Sequence, residues 1–396
     1  MVSDVMEQVP ECLRPRLDLG GQEFLMFVLD EMAHEYEKRY DDVIRLTLGK
    51  SELPPADSVT AAMVEAMARI DKSTLVFPAG LPELRERIAL DYHQRHGIEV
   101  DPRTVLVNVG TSSLFRNIFQ LLAGTGDEVL VPRPYYPLYP FCALLVNAEV
   151  CYYNIDLRTL KIDYDSLATG VNERTRIVVV NSPGNPLGNV VQKEDFMRID
   201  EIVNGRALII NDEIYANAYF DDPSYSALQL KNAKSPIAVT NGFSKAHRMY
   251  TRRCGWAVVP REMVEPLTVM QHHTLLCTDP VSQFGGIAAL NDNSGIDAVV
   301  DSCRRRRNYT IAQFRKVDDV YAVGSRGGFY LTLDCLAAMR RRGFDDSLTL
   351  ARTIMREKHV ATVPGSDFGL PGTLRLSFTS AAYEEGVERL VEFFVN

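Results

Sequence analysis

Short apolar runs rich in β-branched residues recur through the middle of the chain, and this feature restricts its fold most. Nearly every position in each run is apolar, which is typical of strands covered on both faces. Amphipathic helical segments at 112–123 and 195–203 lie between some of these runs. The alternation predicts an α/β fold with a mostly parallel sheet between helices. The predicted strands are residues 104–109, 128–132, 176–181, 207–211, 237–240 and 256–259.

The pattern differs on either side of this central block. Residues 56–70 and 81–96 are predicted to be amphipathic helices that lead into it. After about residue 260 a long helical stretch at 281–318 precedes a strand pair around GGFYLTLD and TLRLSF, which indicates a smaller α+β unit. We therefore expect a large domain at 56–275, a C-terminal small domain at 276–396, and an N-terminal segment, 1–55, that joins the small domain.

Composition excludes several classes of protein. The 396 residues are 46% hydrophobic and 24% charged, enough for a large buried core. The net charge of −9 disfavours nucleic acid as a partner, and no apolar stretch is long enough to predict a membrane span. The start of the chain does not resemble a secretory signal. Seven scattered cysteines without a CxxC pair predict neither a disulfide framework nor a metal site, and they fit a reducing cytoplasm.

Reactive and charged residues follow two of the predicted strands. Lys245 lies in a loop of small residues after the strand at 237–240, and Arg253 follows it eight positions later. Asp212 ends the strand at 207–211, and Tyr215 comes three residues later. Because open α/β sheets bind ligands at the carboxyl ends of their strands, these side chains are candidates for one site. Taken singly, Lys245 is more often a solvated loop lysine and Asp212 is equally often a helix N-cap.

Two further segments suit the same edge of the sheet. NSPGNPLG contains Asn185 at the end of an apolar strand, where prolines restrict the backbone. Gly110, Thr111 and Ser112 lie between a strand and a helix, where backbone amides and hydroxyls form an anion site suited to phosphate. Pyridoxal 5'-phosphate requires this set of groups: an amine, a carboxylate, an amide with a phenol, and a phosphate site with an arginine.

From about Leu46 to Ser380 the chain resembles the class I/II aminotransferases, pyridoxal-phosphate enzymes of fold type I similar to aspartate aminotransferase. The motifs GFSK, DEIY, PYYPLY, AGLPELR and LRLSFTS carry the resemblance. It implies that Lys245 bonds to the cofactor aldehyde, Asp212 pairs with the pyridine nitrogen, and Tyr215 takes part in catalysis. The other residues implied in binding the cofactor are Gly110, Thr111, Ser112, Tyr136, Asn185, Ser244 and Arg253. Those implied in binding the substrate are Gly49, Asn185 and Arg375.

The chain departs from the family pattern at a few positions. Gly242 replaces a serine three residues before the lysine, and Leu75 replaces a tyrosine that reaches the partner subunit's phosphate. We therefore expect a phosphate site with fewer hydroxyl donors, for which Thr111, Ser112, Ser244 or Thr278 are candidates to compensate. Ser51 and Glu52 replace the usual Pro-Asp, which puts an acid where substrate selectivity is set.

The resemblance implies transfer of an amino group between an L-amino acid and a 2-oxo acid by a ping-pong mechanism, as part of amino acid metabolism and biosynthesis. It also implies a homodimer with active sites at the subunit boundary. Because a fold does not determine a reaction, other outcomes with the same cofactor stay open at this point. They are elimination, cyclopropane formation as in ACC synthase, racemisation and oxidation. A binding protein without catalytic activity is a further alternative.

Overall fold

A computed structural model describes residues 24–51, 53–69 and 76–395 of the chain. The strands are β1 (Ile44–Arg45), β2 (Val105–Asn108), β3 (Glu128–Arg133), β4 (Glu149–Asn154), β5 (Thr175–Asn181), β6 (Leu208–Asp212), β7 (Ile237–Gly242), β8 (Gly255–Val258), β9 (Tyr321–Ala322), β10 (Tyr330–Asp334), β11 (Val360–Ala361), β12 (Val363–Pro364) and β13 (Thr373–Ser377). The helices are α1 (Leu25–Glu37), α2 (Asp57–Arg69), α3 (Pro82–His96), α4 (Gly110–Leu122), α5 (Leu138–Leu145), α6 (Tyr164–Gly170), α7 (Lys193–Val203), α8 (Arg261–Leu275), α9 (Pro280–Asn291), α10 (Ile296–Phe314), α11 (Leu336–Arg342), α12 (Ser347–Lys358) and α13 (Tyr383–Val395).

A seven-stranded sheet forms the centre of the larger part, in the order β2-β8-β7-β6-β5-β3-β4. Strands β3 to β7 are parallel, and β8 runs antiparallel to both β2 and β7. The predicted α/β class with a mostly parallel sheet is confirmed, and the six predicted strands all lie in this sheet. The apolar pattern missed β4, because this edge strand is only half-buried and its side chains are mixed.

Helices cover both faces of the large sheet because its strands are apolar on both sides. In β2, Val105 and Val107 point to one face and pack in the core with α2, α3 and α7. Leu106 points to the other face, where Phe115 and Ile118 of α4 pack on it. Period-two alternation in a strand that is buried at every position thus produces two separate cores.

The predicted helical stretch at 281–318 is two helices, α9 and α10. The first helix ends before Asp292, and Gly295 precedes the start of the second. Gly295 has a φ of +79°, a conformation that glycine adopts at little energetic cost. Helix α9 packs on α2 and α3, and its Ala289 and Leu290 lie in the same core as Val59.

A second, four-stranded sheet in the order β12-β13-β10-β9 forms the centre of the C-terminal part. The predicted pair is confirmed, since β10 and β13 are antiparallel neighbours. Leu29, Ile44 and Leu46 of the N-terminal segment share a core with this sheet, and β1 pairs with β11. The domain limits after residues 55 and 275 stay a prediction. None of the described helices is long and apolar enough to cross a membrane.

Candidate active site

A cavity of about 520 Å³ lies at the carboxyl ends of β5, β6 and β7 and extends to the C-terminal sheet. The parallel strands of the large sheet bring its polar residues together, because their ends meet at one edge. Eleven residues predicted from the sequence line the cavity: Gly49, Thr111, Ser112, Tyr136, Asn185, Asp212, Tyr215, Ser244, Lys245, Arg253 and Arg375. The twelfth, Gly110, is not part of the lining but lies beside Arg253.

Asp212 lies at the floor of the cavity, where β6 ends. Its carboxylate accepts hydrogen bonds from Tyr139 Oη at 2.8 Å, from Ile214 N at 3.2 Å and from Thr240 Oγ1 at 3.3 Å. Burial nevertheless raises the pKa of Asp212 to about 6, because the low-dielectric floor disfavours the charged carboxylate. A cationic ligand atom at this position would offset that cost.

Lys245 projects into the cavity from the loop after β7. Its Nζ donates a hydrogen bond to Gly49 O at 2.9 Å and lies 3.5 Å from Tyr330 Oη. Phe243, two residues earlier, is fully buried and anchors the loop. The same Nζ lies 5.5 Å from the centre of the Tyr215 ring. Lys245 is thus surrounded by aromatic faces, which suit a cation.

The start of α4 forms an anion site with Arg253. Gly110 begins the helix with a φ of +72°. It lies so close to Arg253 that a Cβ on it would be 2.6 Å from Arg253 Nη2. Arg253 Nη1 in turn donates to Ser244 Oγ at 3.1 Å. Within the described part of the chain the hydroxyls of Thr111 and Ser112 form no hydrogen bond, so both are available to a ligand. Helix amides, hydroxyls and a guanidinium together suit a phosphate group.

Arg375 reaches the cavity from the middle of β13 and is almost completely buried, with 1% of its surface exposed. Its Nη1 donates to Asn185 Oδ1 at 3.1 Å, and its Nη2 contacts Thr47 O and Met26 Sδ. Its buried Nε has no hydrogen-bond partner among the described residues. A buried guanidinium without a carboxylate is costly, so this arginine is suited to bind a carboxylate ligand.

Sequence reasoning missed two tyrosines that contact the predicted site residues. Tyr139 donates to Asp212, and Tyr330 contacts both Tyr215 and Lys245. Tyr139 comes three residues after Tyr136 in PYYPLY, a segment in which the sequence singled out only Tyr136. Tyr330 lies in the GGFYLTLD strand, whose polar contacts depend on the packing of one sheet against the other.

Other residues that the sequence suggested for phosphate binding or substrate selectivity do not line this cavity or are not described. Thr278 Oγ1 donates to Val107 O at 3.3 Å, and Thr278 does not line the cavity. Ser51 lines a neighbouring cavity of about 530 Å³. The expectations for Glu52 and Leu75 fall outside the described residues.

The comparisons with known proteins agree with this geometry. A family model described as aminotransferase class I and II matches residues 41–394. The chain belongs to the class I and II aminotransferase family. It is 29% identical to an aspartate aminotransferase of Bacillus subtilis, over 91% of this chain and 93% of that protein. It is 31% identical to an aspartate aminotransferase of Thermotoga maritima, over 92% of this chain and 93% of that protein.

Solved structures show the same relationship. A variant of the Thermus thermophilus aspartate aminotransferase superposes with a TM-score of 0.86 at 26% identity, covering 96% of this chain and 99% of that chain. The fold type expected from the sequence is therefore confirmed, and the protein is an aminotransferase.

Aminotransferases of this family use pyridoxal phosphate, and the cavity of this aminotransferase has the groups to hold it. A buried carboxylate with a raised pKa, Asp212, suits a protonated ring nitrogen. An amine is in place for the aldehyde, and the α4 site suits the phosphate. The buried Nε of Arg375, which has no hydrogen-bond partner among the described residues, is suited to donate to a carboxylate.

Proposed function

We propose that this aminotransferase binds pyridoxal 5'-phosphate in the 520 Å³ cavity and transfers an amino group between an L-amino acid and a 2-oxo acid. One observation carries the proposal. The amine of Lys245 and the buried carboxylate of Asp212 line the same cavity as the α4 anion site. Few ligands other than this cofactor require all three groups at once.

The residues have distinct proposed roles. Lys245 would hold the cofactor through its aldehyde, and its free amine would serve as the general base for the α-proton. When bound, the cofactor supplies a conjugated ring that takes up the electron pair left behind. Asp212 holds a proton on the ring nitrogen, since a carboxylate in a low-dielectric site strongly favours a neighbouring cation. Tyr215 and Asn185 are proposed to donate hydrogen bonds to the phenolic oxygen, and Tyr136 to stack on the ring.

Phosphate and substrate are proposed to bind at opposite ends of the cavity. Gly110, Thr111, Ser112, Ser244 and Arg253 hold the phosphate through amides, hydroxyls and a guanidinium. At the other end, Arg375 binds the α-carboxylate of the amino acid, and Asn185 keeps its guanidinium in place through the 3.1 Å hydrogen bond. Gly49 is proposed to lie next to the substrate.

The substrates follow from the reaction and from the relatives. An amino acid and a 2-oxo acid alternate in one site, which requires ping-pong kinetics. Aspartate is the first amino donor to test, because the relatives named above are aspartate aminotransferases.

We further propose that the protein is a cytoplasmic homodimer. Large apolar side chains are exposed on α2 and α9, two helices that pack together: Val64, Met67 and Phe284. Apolar surface of this kind is typical of an interface. Six described cysteines are free thiols, the form that a reducing compartment maintains.

Stoichiometry tests the proposed reaction. The protein is loaded with pyridoxal phosphate, freed of excess cofactor, and given one amino acid without an acceptor. We expect one equivalent of 2-oxo acid and one of pyridoxamine phosphate per site, and none from Lys245→Ala with an unchanged circular dichroism spectrum. Ammonia with no pyridoxamine phosphate would contradict transamination and indicate elimination.

A further inference from the structure

Tyr330 links Lys245 to Tyr215. Its hydroxyl lies 2.9 Å from Tyr215 Oη and 3.5 Å from Lys245 Nζ, deep in the cavity. Tyr330 is 3% exposed and lies in β10 opposite Ser377 of β13. None of the predicted roles includes it, although it touches two of the residues to which roles were given.

The sheet explains why the Tyr330 ring is held in one place. Thr332 pairs with Arg375 across the two strands, and Tyr330 lies two positions before Thr332. Side chains two positions apart in a strand share a face, so Tyr330 and Arg375 are diagonal neighbours on the same side. The Arg375 guanidinium accordingly lies 4.1 Å from the centre of the Tyr330 ring. A fixed strand and a stacked cation leave the hydroxyl little freedom.

Gly49 leaves room for this hydroxyl. A Cβ at Gly49 would lie 1.9 Å from Tyr330 Oη and 2.5 Å from its Cζ, so the Tyr330 side chain would have to shift. The carbonyl of the same Gly49 accepts the hydrogen bond from Lys245 Nζ. The glycine therefore brings the carbonyl and the phenol together as two acceptors around one amine.

The charges around Tyr330 act on its hydroxyl. Burial raises the pKa of Tyr330. The charges of Lys245 and Arg375 and the hydrogen bond with Tyr215 together lower it by more, so the pKa lies below its usual value. Burial raises the pKa of Tyr215 well above its usual value. Either hydroxyl of the Tyr215–Tyr330 pair can donate to the other, whereas the Lys245 ammonium has only donors and therefore donates to Tyr330 Oη.

From this geometry we propose that Tyr330 is a positioning residue: with Gly49 O, its hydroxyl holds the Lys245 amine whenever that amine is not bonded to the cofactor. The same hydroxyl is hydrogen-bonded to Tyr215 Oη, and it leaves the Tyr215 proton free for the cofactor when Tyr330 is the donor. The inference rests on the proposed role of Lys245. A base that takes a proton from one atom and returns it to another works faster when its amine is held in a defined position.

The test uses Tyr330→Phe, which removes one oxygen and keeps the ring beneath Arg375. Tyr250→Phe is the matched control, because Tyr250 lines the same cavity with its ring 5.4 Å from Lys245 Nζ, and its hydroxyl forms no hydrogen bond among the described residues. Cyanate, which reacts with unprotonated amines, is added to the cofactor-free proteins at a fixed pH. Mass spectrometry of the peptide with Lys245 then gives the carbamylation rate.

We expect carbamylation of Lys245 to be about three to ten times faster in Tyr330→Phe, the range that one lost hydrogen bond corresponds to. The control should react at the parent rate. Gly49→Ala displaces the Tyr330 hydroxyl without removing it and should also react faster, which keeps the test valid if Tyr330→Phe does not fold. Equal rates in the parent and in the folded variants would overturn the proposal.

Loaded enzyme supplies the second readout. Tyr330→Phe should lower kcat about tenfold while KM changes less than about twofold, since the variant misplaces the base and leaves substrate binding intact. An increase in KM alone would contradict a role through Lys245. Failure of the parent to bind pyridoxal phosphate would instead remove the proposed function, and it would not affect the carbamylation result.

Discussion

Buried charged side chains that form no salt bridge within the described residues are the features of this aminotransferase that a ligand must satisfy. Asp212 and Arg375 are both almost completely inaccessible to solvent. Each is held by neutral hydrogen-bond partners within the described residues, which lower the cost of burial without cancelling it. The protein without a ligand therefore carries an electrostatic cost at Asp212 on the floor of the cavity and at Arg375 in its lining.

Replacing Asp212 by Asn tests this cost through pH. The raised pKa, about 6, means that native Asp212 keeps its proton where the unfolded chain, with a pKa of 3.8, has lost it. The stability of the parent therefore falls as pH rises from about 4 to 6, and Asp212→Asn lacks this loss. We expect the unfolding free energy of the cofactor-free variant to gain about 3 kcal/mol on the parent across that window.

Urea unfolding of both proteins at several pH values measures the difference. Glu213 is present in both, so its own raised pKa, about 7, cancels in the comparison. A difference that stays constant with pH would show that Asp212 is charged throughout and would contradict the account.

Replacing Arg375 by Lys tests the substrate carboxylate site. Lysine keeps the charge but loses the planar fork and the stack on Tyr330, so we expect kcat/KM to fall on the order of a hundredfold. Steady-state kinetics with aspartate and an acceptor measure this, with Arg307→Lys as a control on an ion pair to Asp221 that lies outside the cavity lining. Equal losses in the two variants would remove Arg375 from substrate binding.

At this scale the sequence identified the residues that follow strand ends, because the carboxyl edge of a parallel sheet is predictable. Lys245, Asp212 and Arg253 were found in that way. The sequence did not identify Tyr139 and Tyr330, since both act through contacts with elements that are distant in the chain. Tyr330 contacts Lys245 across 85 residues.

Close approach of two elements shapes the phosphate site. Gly242 of β7 and Gly255 of β8 are paired across the sheet. A Cβ at Gly242 would lie 3.0 Å from Gly255 Cα, which leaves little space for the serine that the family has at this position. A Cβ at Gly255 would lie 2.9 Å from Thr111 N. The two glycines thus let the first turn of α4 approach the sheet.

Gly255→Ala should therefore disturb the phosphate site. We expect it to weaken pyridoxal phosphate binding about tenfold, equivalent to one misplaced hydrogen bond, and to lower stability by about 1–3 kcal/mol through overpacking. Absorbance titration and thermal unfolding measure the two effects. Gly124→Ala, just after the same helix and with open space around it, should change neither. An unchanged affinity in Gly255→Ala would exclude the proposed role of the first turn of α4.

Helices and strands were predictable where their hydrophobic patterns were uniform. The six buried strands were found because they are apolar throughout, whereas half-exposed β4 was missed. The helical stretch at 281–318 was predicted as one element since its residues favour helix on both sides of the break. The break itself depends on the conformation of Gly295, which the hydrophobic periodicity of the sequence does not reveal.

Assembly is the question at the scale of the whole molecule. Met67 on α2 is 68% exposed, and Phe284 is exposed on α9, the helix that packs on α2; we propose that a second copy binds there. Met67→Glu should place a charge in that interface and shift the protein toward monomer, as light scattering after size-exclusion chromatography would show. Met197→Glu, on α7 and 45% exposed, is the matched control and should leave the mass unchanged. A parent that is monomeric at micromolar concentration would contradict the homodimer.

Covalent trapping at Lys245 tests the central claim most directly. The purified protein is mixed with pyridoxal phosphate, reduced with borohydride and digested, and the modified peptide is identified by mass spectrometry. The account predicts a visible absorbance band before reduction and one stable pyridoxyl adduct, on Lys245. A protein that remains colourless, or an adduct spread over surface lysines with Lys245 unmodified, would contradict it.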